Sequence, residues 1–452
     1  MQLLPEGRLD DLLRMHNPWW TSGSAPTAGS RTLPRPVDGV LIEGVGPVLL
    51  SGPRRSGKTS TLMRLVEAEM RRGRAPRRIA YVPFDHPLVR LAPPTQVVDH
   101  AIKTLDRSGP ALLLLDGFQA LPDWPRHLSE LLEKHAGERL IAAVSSRPEP
   151  GEVSCEVLHL PPMRFREFCS LRGLPDLQAP GLDLLDADVP PADRAEDYFF
   201  NRALDPLLAD YLVRGGFPQA VLESDPVAGR ECIREGVVAR ALFQDLPGVA
   251  GVQKFGDLQR VLLSALLHGG APIPIELFAE NLDLDRQTAT RYLDHLSRLH
   301  LITSLRNHAA ATERSRPRVH PVDPGLPNAL LERGAAVLAR PVERRALLTG
   351  VVVSHVEDFA RSRGLDIGYF REGEAEADVV LVTPEGPVPI LIVDREEVGE
   401  AEAAAVDRVM KKMRATTAFV LSRAQPRRRQ AVSFFENVIH LPAAYFLYAL
   451  RP

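Results

Sequence analysis

Cysteine is scarce: Cys155, Cys169 and Cys232 are the only three among 452 residues. They are too few and too widely spaced for a disulfide framework or a paired-thiol metal site, so they read as buried thiols. Long apolar runs are missing as well. The longest, such as Ala111–Leu115 and Val351–Val353, fall far short of the roughly 20 residues a membrane-spanning helix requires, and no membrane contact is expected. The N-terminal segment Met1–Met15 lacks the basic start and uninterrupted apolar centre of a secretory signal, which predicts a cytoplasmic protein. An excess of one charge is also lacking. A formal charge of −3 exerts no global pull on nucleic acid, so any such contact must come from a local patch. The thirteen histidines show no metal-ligand spacing, and no Ser-His-Asp or Cys-His arrangement emerges.

What remains is the balance of a globular protein, 44% hydrophobic and 25% charged, over a length that exceeds one ordinary core and predicts three or four packed units. Val48-Leu49-Leu50-Ser51 reads as a short buried strand running into Gly52-Pro53-Arg54-Arg55-Ser56-Gly57-Lys58-Thr59, the spacing GxxxxGK[ST]. The following stretch, Ser60–Met70, places Leu62, Leu65 and Val66 at helical period, as the element after a phosphate loop must. Glycines let backbone N–H groups wrap the phosphates, and the helix N-terminus adds a positive partial charge. Lys58 contributes a full charge and Thr59 an oxygen for Mg²⁺. Candidate nucleotide ligands are therefore Gly52, Pro53, Arg54, Arg55, Ser56, Gly57, Lys58, Thr59 and Ser60.

A second buried run, Ala111–Leu115, ends in Asp116. An aspartate at the C-terminal edge of a parallel strand lies beside the phosphate loop and can hold the Mg²⁺ water shell, which makes Thr59 and Asp116 the metal-side candidates. Further strands are expected at Ile79–Phe84 and Leu140–Val144. The second of these leads into Ser145-Ser146, where either a γ-phosphate sensor or a simple capping serine would stand.

With these residues in place the chain resembles prokaryotic AAA+-type P-loop ATPases that carry a C-terminal nuclease-like domain of unknown function. The matching segments are Asn17-Pro18-Trp19-Trp20, Gly52–Thr59, Asp116-Gly117-Phe118-Gln119 with Asp123-Trp124, Ser145-Ser146, Met163–Phe168, Gly215-Gly216-Phe217-Pro218, Asp323–Leu326 and Glu376-Ala377-Asp378. The resemblance implies an α/β fold: a P-loop NTPase core with a parallel sheet, a helical lid, a winged-helix domain and a C-terminal α/β restriction-nuclease-like domain. Gly117 stands where the family places a glutamate, while Gln119 is kept. Catalytic candidates are then Asp116, Gln119 and Ser145. Loss of the acid is expected to slow hydrolysis without removing binding, and an acid restored at residue 117 is expected to raise turnover.

The chain divides by pattern into an N-terminal segment and linker (1–36), the ATPase core (37–160), the lid (161–240), the winged helix (241–315) and the C-terminal domain (316–452). Trp19 and Trp20 are expected to pin the N-terminal segment to the core. Arg164 and Arg166 are candidate phosphate-sensing or trans-acting arginines. In the winged-helix region Asp285 caps a helix whose apolar face is Ala289, Leu293, Leu296 and Leu299. Its other face carries Arg286, Gln287, Thr290, Arg291 and Arg298, residue types able to reach phosphates and base edges. The long acidic loop near Asp183–Glu196 belongs to the stretch that resembles the lid, and the basic run Arg423–Arg429 reads as a solvated loop. In the C-terminal domain Asp378 survives, but Leu391 and Val393 stand where the resemblance implies a second acid and a lysine. Nuclease activity is therefore not expected, with Glu374, Glu376, Asp394 and Glu396 as the acids that could substitute. The expected ligands are ATP and Mg²⁺, and the expected function is a slow ATPase or nucleotide-dependent switch. A non-hydrolysing ATP-loaded scaffold is the alternative. A DNA or protein partner and a homo-oligomer stay open.

Overall fold

Five short segments of the first 160 residues, four of them largely apolar and all bounded by loop residues, become strands. They are β1 (Val48–Ser51), β2 (Ile79–Pro83), β3 (Leu112–Asp116), β4 (Arg139–Val144) and β5 (Glu156–His159). In the computed structural model they pair in parallel in the order β2-β3-β4-β1-β5. The first four are buried along their whole length, as expected of parallel strands covered on both faces. The structure describes residues 6–26, 33–106, 108–176, 181–185, 196–245, 255–309, 316–395, 398–423 and 437–451. Residues 27–32 of the linker, 186–195 of the acidic loop, Glu396 and residues 424–429 of the basic run lie outside them.

Contacts divide the chain into two units. The first comprises Met1–Pro162, Glu235–Phe255 and Arg298–His300; the second comprises Met163–Arg234, Gly256–Ser297 and Leu301–Pro452. The first unit thus takes in the N-terminal segment together with residues from the stretches assigned by pattern to the lid and the winged helix.

In the first unit the N-terminal helix Glu6–His16 covers the free edge of β2. Asn17 completes that cover: its side-chain nitrogen donates to the Tyr81 carbonyl at 2.9 Å and its oxygen accepts the Tyr81 N–H at 2.7 Å. Both ladder groups of one edge residue are thereby satisfied, which closes an edge that would otherwise pair with other chains. Trp19 and Trp20 are buried and both donate their indole N–H to the Ile79 carbonyl, at 3.2 and 2.7 Å. They pin the segment as expected, and they hold it on β2.

The second unit contains a hairpin of β6 (Ile302–Leu305) and β7 (Arg318–Pro321) preceded by the helices Phe255–Leu267, Ile275–Glu280 and Arg286–Arg298. Asp285 accepts the Thr288 N–H at 2.8 Å, capping the third helix as its sequence requires. That helix buries Ala289, Leu293 and Leu296 and exposes Arg286, Gln287, Thr290 and Arg291. Arg298 departs from the expected face. It is ion-paired within the first unit to Glu149 and, at 3.7 Å, to Glu152.

A second sheet runs β12-β11-β10-β9-β8, from β8 (Asp366–Glu372), β9 (Ala375–Thr383), β10 (Gly386–Val393), β11 (Ala418–Ser422) and β12 (Val438–Pro442). β8, β9 and β10 pair antiparallel, whereas β10, β11 and β12 pair parallel. The helix Glu400–Met413 makes the crossover from β10 to β11 that a parallel pair needs.

Candidate functional site

The phosphate loop is shaped by what its glycines must avoid. A Cβ on Gly52 would lie 2.1 Å from the Leu160 carbonyl oxygen, because the chain after β5 runs hard against β1, and the Leu160 N–H donates to Ser51 at 2.7 Å. Gly57 has φ +106, a conformation side chains rarely adopt. Directly after it the helix Lys58–Arg71 begins, so its first N–H groups open toward the loop. Arg35 braces the loop from outside by donating to the Ser56 carbonyl and the Pro161 carbonyl, each at 2.9 Å. Nothing in the motif announced this arginine.

Lys58 is buried, and its Nζ donates to the carbonyls of Gly52 at 2.9 Å and Pro53 at 2.7 Å. Burial pushes its pKa down to about 8, opposed by the negative charges of Asp116 and Asp245. Thr59 Oγ1 donates to Asp116 Oδ2 at 2.6 Å, and the Tyr81 hydroxyl donates to the same oxygen at 2.8 Å. Burial pushes the Asp116 carboxyl up, and these two donors pull it back. The two residues expected to face the metal therefore meet directly across the gap between the helix and β3.

The buried Ser145 and Gln119 also meet, since the Ser145 N–H donates to Gln119 Oε1 at 3.1 Å. Gln119 Nε2 in turn reaches Asp245 Oδ1 at 3.3 Å, so both ends of this amide are engaged. Asp245 had no motif to mark it. Its side chain is fully buried and takes a bidentate pair from Arg54, with Nε and Nη2 both at 2.6 Å. Such a planar fork on a carboxylate is among the stronger polar contacts available. The Arg54 side chain is thus turned to Asp245, and Arg55 holds the left-handed φ of +62.

The expected arginine sensors belong to the second unit. Arg164, in the second unit, is ion-paired with Asp358 and donates to Ser354 Oγ at 3.0 Å. Arg166 pairs with Asp176 at 2.6 Å and lies over the Tyr448 ring. Both are tied to partners of their own unit, the reason being that the segment they sit on packs into the second unit's core. In the C-terminal sheet Asp378 accepts the Ile392 N–H at 2.8 Å and an Arg345 nitrogen at 2.8 Å. Asp394 is bound by Arg344 at 2.9 Å and Arg423 at 3.3 Å. Glu376 pairs with Arg318 and Arg371. Leu391 is buried in the apolar cluster of Phe370, Val380 and Val406, and Val393 packs against it. Among the described residues no group of three or more His, Cys, Asp or Glu side chains could hold a metal ion.

The residues fit a nucleotide with its metal. Among the described residues the buried Ser56 hydroxyl has no hydrogen-bond partner and Lys58 donates only to the loop's own carbonyls, while Thr59 and Asp116 converge. A parallel sheet with this loop after its β1 strand and Asp116 on β3 defines a P-loop domain of the nucleotide-binding AAA type. Residues 45–169 match the family described as the AAA domain, and residues 205–336 match a domain of unknown function (DUF8612). A protein of Haemophilus influenzae described as uncharacterized is 22% identical over 336 residues, 71% of this chain and 76% of that one. AMPPCP-bound DnaA of Aquifex aeolicus aligns over 58% of this chain and 86% of its own, with 16% identity and a TM-score of 0.23. A signal transduction ATPase with numerous domains from Pyrococcus horikoshii, bearing a tetratricopeptide repeat sensor, aligns over 75% of this chain and 49% of its own. Its identity is 12% and its TM-score 0.25. Scores this low add nothing to the assignment. No helix among the described residues is long and apolar enough to cross a membrane.

The depressed pKa of Lys58 has a measurable consequence. Only its charged form attracts the triphosphate, and the bound triphosphate holds the proton on. ATP affinity should therefore be level below pH 8 and fall above it, by up to about tenfold per pH unit. Titration with a fluorescent ATP analogue from pH 7 to 9.5 measures this, and Lys58→Arg should flatten the decline because arginine keeps its charge.

Proposed function

We propose that this chain binds ATP with Mg²⁺ at Gly52–Thr59 and acts as a slow ATPase whose nucleotide state sets the position of the segment around Asp245. The observation that carries the reading is the 2.6 Å contact of Thr59 with Asp116 beside the buried Lys58. In this reading the backbone N–H groups of residues 54–59 and Lys58 bind the β- and γ-phosphates, while Thr59 and Asp116 hold the metal. Bound there, Mg²⁺ neutralises charge on the phosphate oxygens. Tyr81 keeps Asp116 turned toward Thr59.

Asp245 supports the switch. It carries the same sign of charge as a phosphate and is paired with Arg54 of the loop. A bound triphosphate and the Asp245 carboxylate compete for the same cations, so nucleotide occupancy and the placement of residues 241–245 are linked, each weakening the other. Exposed Arg286, Gln287, Thr290 and Arg291 on one helix favour DNA as a further ligand of a winged-helix module. The arginine-bound Asp378 and Asp394 argue against metal-dependent cleavage by a nuclease-like C-terminal domain.

Calorimetry of ATP with Mg²⁺ and with EDTA tests the binding. Phosphate release with and without plasmid, linear and single-stranded DNA tests hydrolysis and partner, and the same tubes run on a gel read cleavage. Absence of ATP binding would sink the proposal. Cleavage lost in Asp378→Ala would restore the nuclease.

A further inference from the structure

Residue 117 has no side chain, and the reason lies just past the end of the neighbouring strand. Gly117 has φ +67. A Cβ built on it would stand 2.8 Å from Asp85 Cβ and 3.1 Å from both the Asp85 carboxyl carbon and its backbone nitrogen. The place from which a side chain at residue 117 would start is therefore filled by that of Asp85. The sheet brings this about. β2 and β3 are adjacent, with Pro83 in register with Asp116, and the Phe84 N–H donates to the Asp116 carbonyl at 2.7 Å. That bond carries the pairing one residue past the end of β2 and sets Asp85 against Gly117. Asp85 is exposed whereas Asp116 is buried, so the two carboxylates have different surroundings. Asp116 is committed to Thr59 and Tyr81, and Gln119 is engaged at both ends of its amide. Among the described residues the Asp85 side chain has no hydrogen bond to Thr59, Tyr81 or Gln119, and the residue is exposed.

We propose that Asp85 is the catalytic residue that activates water, its carboxylate supplied from the turn after β2 in place of the one absent at residue 117. The inference rests on the ATP-hydrolysing reading given above. In the step, a water oxygen bonds to the γ-phosphorus while the bond from that phosphorus to its bridging oxygen breaks. The bond's electron pair leaves on ADP, the water proton goes to Asp85, and Asp85 returns it to the released phosphate.

Asp85→Asn and Asp85→Glu test this in the full chain. Asparagine should lower steady-state turnover by about a hundredfold, the usual worth of a positioned proton acceptor, with affinity for a non-hydrolysable ATP analogue within about twofold of wild type. Glutamate should keep turnover within about tenfold. Unchanged turnover in Asp85→Asn overturns the proposal, as does a loss of affinity that matches the loss of rate. A wild type that binds ATP without turning it over overturns the proposal and leaves nucleotide binding standing. A wild type that does not bind overturns both.

Discussion

Lys58→Ala should weaken MgATP binding by at least about a hundredfold. Each hydrogen bond from a charged group is worth about 1.5–3 kcal/mol, and the buried ammonium has at least two to give to phosphate oxygens. Their loss amounts to roughly 3–6 kcal/mol, or two to four decades of affinity. The triphosphate charge stays, and Asp116 and Asp245 remain near with one less cation to offset them. The variant also takes the Lys58 donor away from the buried carbonyls of Gly52 and Pro53. Calorimetry at pH 7, with circular dichroism to verify folding, measures the loss. Affinity within about threefold of wild type would mean that the loop's N–H groups carry the binding alone.

How much of this was legible in the sequence depends on how far each residue's partner lies along the chain. The strand, loop and helix around Gly52–Thr59 could be read because all their constraints are local: an apolar run, two glycines and a helical period. The Asp116 strand was also legible, displaced by one residue. It begins at Leu112 and includes the aspartate, since the Ala111 N–H is taken by the Glu138 carboxylate rather than by the ladder. Tyr81 and Asp245 were not legible. Tyr81 reaches Asp116 only through the adjacency of β2 and β3, and Asp245 meets Arg54 across 191 positions of sequence. One signal for Asp85 was present, an acid just past an expected strand, but it meant nothing until the strand order was known. Arg164 is the opposite case. Its position after the core suggested a sensor, whereas its guanidinium is held by Asp358 in another core.

Gly117→Glu is expected to lower stability and to leave turnover at or below the wild-type rate, against the simple expectation that restoring an acid restores chemistry. The first cost is backbone. A φ of +67 is left-handed, about 1–2 kcal/mol unfavourable for a residue with a Cβ. The second is space, because 2.8 Å to Asp85 Cβ and 3.1 Å to the Asp85 backbone nitrogen can be relieved only by moving the end of β2, at roughly 1–3 kcal/mol. Together they come to about 2–5 kcal/mol, and moving β2 also disturbs the Tyr81 bond to Asp116. The third is charge, with a new carboxylate set against Asp85 and beside Asp116. Thermal unfolding, read on the transition that ATP shifts, measures the stability loss, since only the nucleotide-binding unit responds to the ligand. Gly117→Ala separates the causes. It carries the backbone and steric costs without the charge, so it should lose most of the same stability. If Gly117→Ala is as stable as wild type while Gly117→Glu hydrolyses ATP faster, then the glycine is not demanded by Asp85, and the acid at residue 117 is the one the site lacks.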